Sequence, residues 1–388
     1  MPDGRDTIAI QVISDIGEVA AEDWDACAGA DNPFLSHAFL SALEESGSAT
    51  AETGWLPQHL TIKDDKGLLL ASAPCYLKNH SRGEYVFDWG WADAYERAGG
   101  RYYPKLQCSV PFTPATGPRL LVRDDGARDL KRTLGAGLAQ LCSQVGASSV
   151  HITFPTEEDA DLLIDMGYLP RIGLQFHWHN EGYRTFDDFL AALSSRKRKA
   201  IRKERAEVAS SELVLETLTG SDLTEAHWDA FYHFYRDTSD RKWGQAYLSR
   251  SFFSLIGERM PESIVLVLAS KADGTPVGGA LNLRGSDTIF GRHWGCLEDY
   301  KFLHFEACYY RAIDFAIENG LKWVEAGAQG PHKLQRGYLP KMTRSAHFVR
   351  DKGFRSAIET FLTGEAAEVR REIDWLMERS PFRKENGQ

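Results

Sequence analysis

The chain has 388 residues and a net charge of −10, with 43% hydrophobic and 26% charged residues. This length and composition predict a globular protein of two domains, and the acidic balance excludes a uniformly basic nucleic-acid-binding surface, although not a local basic patch. There is no apolar run of about 18 residues, no N-terminal segment with the order of a signal peptide, and no Cys-x-x-Cys among the six scattered cysteines, so we expect a cytoplasmic protein with reduced thiols.

The first half of the chain alternates between apolar strands and helical stretches. In chain order the pattern predicts a strand at 8–13, helices at 20–27 and 36–45, strands at 59–63, 68–77 and 85–89, a helix at 128–144, a strand at 149–154, a helix at 157–166 and a strand at 168–179. Asp64 and Gly67 lie between two apolar runs, which is a hairpin signal. Gly146 follows the third helix as a typical C-cap.

The second half follows the same order. It predicts helices at 185–209, 225–237 and 245–259, strands at 263–270, 276–284 and 288–294, a helix at 304–319 and a strand at 322–326. Apolar side chains recur at i, i+3 and i+4 along 304–319, which is typical of a helix that packs on a sheet.

A short repeat links the two halves. Gly-Tyr-Leu-Pro followed by a basic residue occurs at 167–171 and again at 337–341, each time near the end of a similar series of elements. The chain therefore looks like two copies of one α/β unit. The hairpin glycines Gly67 and Gly274 lie further apart than the two pentapeptides, so the first half carries an insertion, which we place at 91–122. The insertion is either an ordered lid or groove wall, or a packed surface loop.

This order of elements resembles the GNAT acyltransferase fold, and two such units in tandem resemble the FemAB-type (Fem-like) aminoacyltransferases. The match is to a proteobacterial branch labelled peptidoglycan biosynthesis or recognition, and it rests on 85–119, 194–205 and 292–340. The resemblance implies an α/β fold of two tandem GNAT-like domains, each with a mixed, mostly antiparallel sheet flanked by helices. Domain 1 would span 1–182, with the inserted loop 91–122, and domain 2, the catalytic one, would span 183–388.

The resemblance also bears on the acyl donor. GNAT enzymes that use CoA carry a glycine-rich turn at the start of their long helix, where backbone N–H groups bind the pyrophosphate. The corresponding stretch 299–306 has no glycine, and the first half has only Gly126 before its helix. We therefore expect no bound cofactor, aminoacyl-tRNA as the co-substrate and acyl-CoA as the alternative.

The implied reaction transfers an aminoacyl group from aminoacyl-tRNA to an amine of a peptide or cell-wall-precursor-like acceptor. The expected partners are tRNA or another phosphate-bearing donor and the amine-bearing acceptor, with no integral membrane contact, for a monomer or a homodimer. Two alternatives remain: a CoA-dependent N-acetyltransferase, and a non-catalytic module that recognises precursors or RNA.

The candidate catalytic residues come from three separate segments that would converge at one edge of the second sheet. They are Arg292, His293, Glu306, His332 and Lys333. Glu306 or His332 is the candidate base for the attacking amine, and Lys333 or Arg292 the donor that stabilises the oxyanion. The alternative is that these side chains only satisfy a strand end and a helix start. The lysine that Fem-type enzymes carry two residues before a Gly-Phe is replaced here by Gln335.

Other residues are candidates for binding. The predicted substrate contacts are Trp89, Tyr103, Lys105, His304, Arg336 and Tyr338, although aromatic side chains are more often part of a core. In the run 196–205 seven of ten residues are basic, and six of these are the predicted phosphate or tRNA contacts: Arg196, Lys197, Arg198, Lys199, Arg202 and Lys203. A solvated helix face is the alternative for that run. His177 and His179 share a strand face, but no third ligand is evident, so we expect no metal.

Overall fold

The computed structural model describes residues 9–124, 127–243, 246–327 and 330–383, without the side chains of 242 and 243. The chain divides into two compact units. Unit 1 is Met1–Gly173 with Thr343–Val369, and unit 2 is Leu174–Met342 with Arg370–Gln388. The predicted domain 2, 183–388, differs from this division because segment 343–369 packs with the N-terminal part of the chain.

Unit 1 contains two sheets, with strand orders β1-β3-β4-β7 and β15-β8-β6-β5-β2, in which β15 is the strand Leu339–Val349. Within the second sheet, β6 and β8 form a parallel pair and the other pairs are antiparallel. The elements of the N-terminal segment are β1 (Ile10–Ile13), α1 (Ala21–Ala28), α2 (His37–Glu45), β2 (Trp55–Pro57), β3 (His59–Lys63), β4 (Leu69–Ala73), β5 (Cys75–Lys78), α3 (Trp89–Arg97), β6 (Lys105–Cys108), β7 (Leu121–Val122), α4 (Arg128–Gln144), β8 (Ser149–Thr153), α5 (Glu157–Asp165) and β9 (Leu169–His179), which continues into unit 2.

Unit 2 contains one sheet of order β10-β11-β12-β13-β14-β9, in which β13 and β14 form the parallel pair. A π-helical segment, Glu306–Tyr310, joins α10 to α11, and a 3₁₀ helix, Pro331–Arg336, precedes β15. The elements are α6 (Phe186–Ala192), α7 (Ser195–Ala209), β10 (Leu213–Thr219), α8 (Glu225–Trp243), α9 (Arg250–Arg259), β11 (Ile264–Lys271), β12 (Pro276–Arg284), β13 (Thr288–Cys296), α10 (Leu303–Phe305), α11 (Arg311–Glu318), β14 (Trp323–Glu325), β15 (Leu339–Val349) and α12 (Lys352–Met377). β15 begins in unit 2 and ends in unit 1, and α12 begins in unit 1 and ends in unit 2.

The two pentapeptides adopt the same local structure. Gly167 and Gly337 have φ of 91° and 89°, the left-handed region in which glycine carries no side-chain penalty. The tyrosine that follows is buried in each unit, and its hydroxyl donates to a backbone carbonyl, of Gly135 in unit 1 and of Tyr309 in unit 2. An eleven-residue strand begins directly after each tyrosine. The predicted α/β class and the predicted pair of GNAT-like units are confirmed.

Each unit completes its sheet with a strand that begins in the other half of the sequence. The end of β9 pairs with β14 inside unit 2, where His179 lies opposite Trp323. The end of β15 pairs with β8 inside unit 1, where Val349 lies opposite Ser149. This exchange explains why a single cut in the sequence does not separate the two units.

Two of the strands predicted for the first half were wrong. The segment 85–89 is not a strand, because Tyr85 has φ of 63° and the carbonyl of Asp88 accepts from Trp91 and Ala92, which starts α3. The insertion 91–122, predicted as an ordered lid or groove wall or as a packed surface loop, contains part of α3 and the strands β6 and β7. The strand predicted at 68–77 divides at Pro74, which has no N–H to donate.

Two helices predicted for the second half also needed correction. The helix predicted at 185–209 breaks at Leu193, which is extended and forms a bridge with Phe382, while the N–H of Ser194 donates to Pro381. The helix predicted at 304–319 is interrupted by the π-helical segment. β10 and α12 were not predicted, and the predicted start of a helix at 245 lies outside the described residues.

Buried apolar side chains form a separate core in each unit. In unit 1, Leu134 and Leu138 of α4 pack with Leu106 of β6 and Val150 of β8. In unit 2, helices α6 and α11 pack on the sheet around Trp178, which is fully buried. Within the described ranges no helix has the length and apolar character needed to cross a membrane.

Candidate functional site

A gap between two central strands of unit 2 forms the floor of the candidate site. β13 and β14 pair in parallel from Thr288 and Trp323 to Phe290 and Glu325. β13 then continues along β12 as far as Cys296. A sheet whose parallel strands separate in this way leaves backbone groups accessible at the point of separation.

A β-bulge lies at the mouth of the gap. Asn282 pairs with Gly291 and Leu281 with His293, so Arg292 is the extra residue on β13. A bulge bends its strand and turns side chains to new directions, and bulges are frequent beside active sites. Gly291 fits closely, because a Cβ there would lie 3.3 Å from a backbone oxygen of β14.

Lys333 lies at this gap. Its side chain is only 3% exposed, and its Nζ donates to the carbonyl oxygen of Gly327 at 3.0 Å. Burial lowers the pKa of Lys333 to about 8. His177, near the end of β9, is close enough that Lys333 contributes to lowering its pKa to about 3, although burial is the main cause. A buried cation with one carbonyl acceptor is well suited to stabilise a developing negative charge.

His332 precedes Lys333 and is more accessible. Its Nε2 lies 2.9 Å from the hydroxyl of Tyr309, on the π-helical segment. Burial, together with Arg336 and Lys333, lowers the pKa of His332, so the imidazole is neutral near pH 7. A neutral imidazole at the entrance of a gap is a suitable proton acceptor.

His293 and its neighbour on β13 lie on opposite faces of the sheet. The His293 ring packs against Tyr235 of α8 at 4.9 Å, and burial lowers its pKa to about 3. The neighbouring Trp294 faces the other way and packs against His304, whose ring centroid is 6.0 Å from that of His332. The structure therefore brings His304 together with His332, and it places His293 against α8 instead.

Glu306 is buried in a network of charged side chains that the sequence pattern did not predict. Its Oε1 accepts from Arg205 of α7 at 3.0 Å and lies 3.5 Å from Nε of Arg311, while its Oε2 has no hydrogen-bond partner among the described residues. Arg205 also bonds Asp314 at 2.6 Å. Burial raises the pKa of Glu306, and Arg205 works against that rise. A helical stripe of Ile201, Arg205 and Val208 was the signal in the sequence that could have placed Arg205 inward.

A cavity lies beside this network. It has a volume of about 320 Å³ and is bounded by α7, β10, the π-helical segment and the start of α11. Its walls combine the charged Arg205, Glu306 and Arg311 with aliphatic side chains of which Val208 and Leu215 are examples.

Most cations of α7 point to solvent. Arg196, Lys199, Arg202 and Lys203 are exposed and Arg198 is half-buried. Arg202 bonds Asp187 at 2.9 Å, and Lys197 bonds Gln335. For the remaining four cations, no ion pair or hydrogen bond of the side chain to another described residue is present. These residues therefore form a cationic surface on one helix of unit 2.

The predicted binding residues of unit 1 have a different setting. Lys105 is fully buried, and its Nζ donates to Ser81 and Glu84, both at 2.7 Å, and to Asp88. Burial opposes the charge of Lys105, but the two carboxylates raise its pKa above the ordinary value. Tyr103 bonds Ser81, and Trp89 is exposed at the start of α3. Lys105 is thus part of an internal ion cluster.

In unit 1 the position that corresponds to the gap is filled. Beyond the parallel pairing of Cys108 with Ile152, the fully buried side chain of Arg119 donates to the carbonyl oxygens of Thr153 at 2.9 Å and Ala115 at 2.8 Å. A guanidinium held by carbonyl groups therefore occupies this position in unit 1.

Arg336 and Tyr338 follow Lys333 in the chain, and both side chains are buried. Arg336 is 7% exposed and bonds Glu204 of α7, and Tyr338 is fully buried in the core of unit 2. In the parts of the chain that the structure describes, no three His, Cys, Asp or Glu side chains are grouped so as to hold a metal ion.

The model of the FemAB-like family, described as peptidoglycan biosynthesis/recognition, matches residues 15–384. Three solved structures share the fold at 10–11% identity. A crystal structure of FemX has a TM-score of 0.54 and covers 88% of this chain and 98% of its own. The L-PGS from Bacillus licheniformis has a TM-score of 0.51 and covers 84% of this chain and 95% of its own. The C-terminal domain of a putative lysylphosphatidylglycerol synthetase from Agrobacterium fabrum has a TM-score of 0.53 and covers 89% of this chain and 95% of its own. No curated protein matches the sequence.

Proposed function

The chain belongs to the FemAB-like peptidoglycan biosynthesis/recognition family, and from that premise we propose that it is an acyltransferase. The reaction moves an aminoacyl group from aminoacyl-tRNA to an amine of a peptide or cell-wall-precursor-like acceptor. The observation that carries the proposal is Lys333, a buried lysine with a pKa of about 8 beside the gap between β13 and β14.

The chemistry follows from two neighbouring side chains. The acceptor amine attacks the ester carbonyl, and the positive charge of Lys333 stabilises the oxyanion of the tetrahedral intermediate. His332, neutral near pH 7, takes the proton that the amine loses. When the intermediate collapses, the C–N bond remains, the ester C–O bond breaks, and the ribose hydroxyl leaves with that proton. Glu306 has no role in this sequence, because its carboxylate is held by Arg205.

The start of α10, which corresponds to the phosphate-binding turn of CoA-dependent GNAT enzymes, supports tRNA rather than CoA as the donor. Phe302 occupies the N-cap with φ of 65°, where a phosphate-binding turn would carry glycine, and its ring stacks on Phe305. Glu306 adds a carboxylate in the first turn, where a pyrophosphate would be repelled. The exposed cations of α7 suit a longer polyanion, of which the acceptor end of a tRNA is the proposed example.

The test is an aminoacyl-transfer assay in which the purified protein is offered a pool of charged tRNAs and a peptide amine. We expect transfer from at least one charged tRNA, and we expect Lys333→Met to lose it. Turnover of acetyl-CoA without transfer from any charged tRNA would overturn the proposal in favour of an N-acetyltransferase. Binding of tRNA or precursor without either reaction would favour a recognition module.

A further inference from the structure

Glu204 is the one acidic residue within the basic run 196–205. Its neighbours Arg202 and Lys203 are exposed, whereas the side chain of Glu204 is only 15% exposed. It lies on the inward side of α7, next to Arg205 and about one helical turn after the buried Ile201. An acidic side chain that turns away from a cationic surface has a partner inside the protein.

That partner is Arg336, at the end of the 3₁₀ helix 331–336. Its Nη2 and Nε donate to the two carboxylate oxygens of Glu204, at 2.8 and 3.2 Å, and the hydroxyl of Tyr310 donates to the same carboxylate. The Arg336 guanidinium also covers the ring of Phe305 at 3.3 Å. A forked pair of this kind fixes orientation as well as charge.

The remaining donor of Arg336 reaches the candidate reaction site. Its Nη1 donates to the carbonyl oxygen of His332 at 2.9 Å. This carbonyl belongs to the peptide that joins His332 to Lys333, whose own N–H bonds Gly330. The direction of that peptide sets where both candidate side chains point.

We infer that Glu204 is a positioning residue for His332 and Lys333, and that it acts through Arg336. The inference rests on the proposed function for the roles of His332 and Lys333. It makes α7 an element with two surfaces, one of which presents cations to a polyanionic donor while the other holds the reaction loop. Glu204 has no assigned role of its own in the reaction and touches no reacting atom.

Loss of the carboxylate leaves a buried guanidinium without its counter-charge, so the loop must rearrange to bring Arg336 to water. Glu204→Gln keeps the shape and removes the charge. Glu207→Gln is the matched control, because Glu207 lies on the same helix in an exposed pair with Lys301 at 3.0 Å. Glu204→Asp keeps the charge and should therefore show a smaller change than Glu204→Gln.

Two measurements need no substrate. We expect faster amide hydrogen exchange at 330–338 in Glu204→Gln than in Glu207→Gln. We also expect the pKa of Lys333, measured by pH-dependent acylation and mass spectrometry, to move up towards the ordinary lysine value as the loop opens to water. Equal exchange and an equal pKa in the two variants would overturn the inference.

The transfer assay supplies a third reading. Glu204→Gln should lower kcat on the order of a hundredfold, as expected for a small displacement of reacting groups, while KM for the charged tRNA stays near the wild-type value. A raised KM with unchanged kcat would assign Glu204 to donor binding instead and overturn the positioning role. If Glu204→Gln does not fold, Arg336→Lys, which keeps the charge and loses the fork, is read by the same criteria. If the protein transfers nothing, the proposed function fails, while exchange and labelling still decide the role of Glu204.

Discussion

The ammonium nitrogen of Lys333 lies 3.0 Å from the carbonyl oxygen of Gly327, inside unit 2. Burial lowers its pKa from 10.5 to about 8. Below pH 8 both the folded and the unfolded protein hold this proton, and the folded state carries the full cost of burying the charge. Between pH 8 and 10.5 the unfolded state holds more protons than the folded state, so this group makes stability rise with pH. Lys333→Met removes the cost and should raise the free energy of unfolding at pH 7 by about 3 kcal/mol.

The measurement is urea unfolding of both proteins at several pH values from 7 to about 10.5, the ordinary lysine range. The advantage of Lys333→Met should shrink as pH rises through that window. Lys341→Met is the control, because Lys341 is exposed on β15. A constant difference between Lys333→Met and wild type at every pH would contradict the assignment.

The pKa of Lys333 also predicts how kcat depends on pH on the alkaline side. If the charged form of Lys333 stabilises the oxyanion, kcat falls as pH rises through about 8. Lys333→Arg keeps its charge to much higher pH, so its residual activity should lack this limb. The pH profile of kcat for the two proteins is the measurement, and an identical limb in both would assign the titration to another group.

The cationic surface of α7 predicts a salt dependence of donor binding. Each phosphate contact that is lost should reduce the slope of log Kd against log salt by about 0.7 to 0.9. Lys199→Ala and Lys203→Ala should each act in this way in a tRNA-binding titration. Arg236→Ala, an exposed cation of α8, is the control and should leave the slope unchanged. Equal slopes in all four proteins would make α7 an ordinary solvated helix face.

The internal ion cluster of unit 1 predicts that Lys105 supports folding. Lys105→Met leaves Glu84 and Asp88 buried without their common cation, which typically costs about 3 to 5 kcal/mol. We therefore expect a large fall in the unfolding midpoint. Arg97→Met, in an exposed pair with Asp93, is the control and should change stability little. A folded Lys105→Met protein of normal stability that fails only in substrate binding would support the role predicted from the sequence instead.

Much of the fold could be predicted from local patterns. The strands at 59–63 and 276–284 and the helix at 128–144 match the structure at both ends, because hairpin turns and a glycine C-cap mark their limits. α12 was missed although Phe354, Ile358 and Leu362 begin an apolar series at helical spacing, and only three side chains of its long span are buried. β10 was missed because, as an edge strand, it alternates between half-buried and exposed side chains.

The site was less predictable, because it depends on contacts between distant segments. The sequence indicated that His304, His332 and Lys333 would converge, and the structure places His332 within ring contact of His304. It did not identify Arg336 and Glu306 as the partners of Glu204 and Arg205, since those pairs join residues more than a hundred positions apart. A charge pattern along one helix cannot identify a partner on another element.

The repeated pentapeptide offers a matched pair of substitutions. Gly167 and Gly337 share a left-handed backbone, so alanine at either position costs about 1 kcal/mol from conformation alone. Their surroundings differ. A Cβ at Gly167 would meet nothing within 4 Å, whereas one at Gly337 would lie 2.7 Å from the ring of Phe189. Gly337→Ala should therefore cost about 1 to 3 kcal/mol more than Gly167→Ala.

Amide hydrogen exchange after each repeat measures this difference locally, at the N–H groups of Tyr168 and Tyr338, which bond Leu163 and Lys333. If the clash with Phe189 is the cause, Phe189→Leu should cost less in the Gly337→Ala protein than in wild type, because the smaller side chain makes room for the new methyl group. Gly67→Ala, at a hairpin with φ of 87° and no contact for a Cβ, should behave like Gly167→Ala. Equal costs at Gly167 and Gly337, with additive effects of Phe189→Leu, would show that backbone conformation alone sets the cost at both positions.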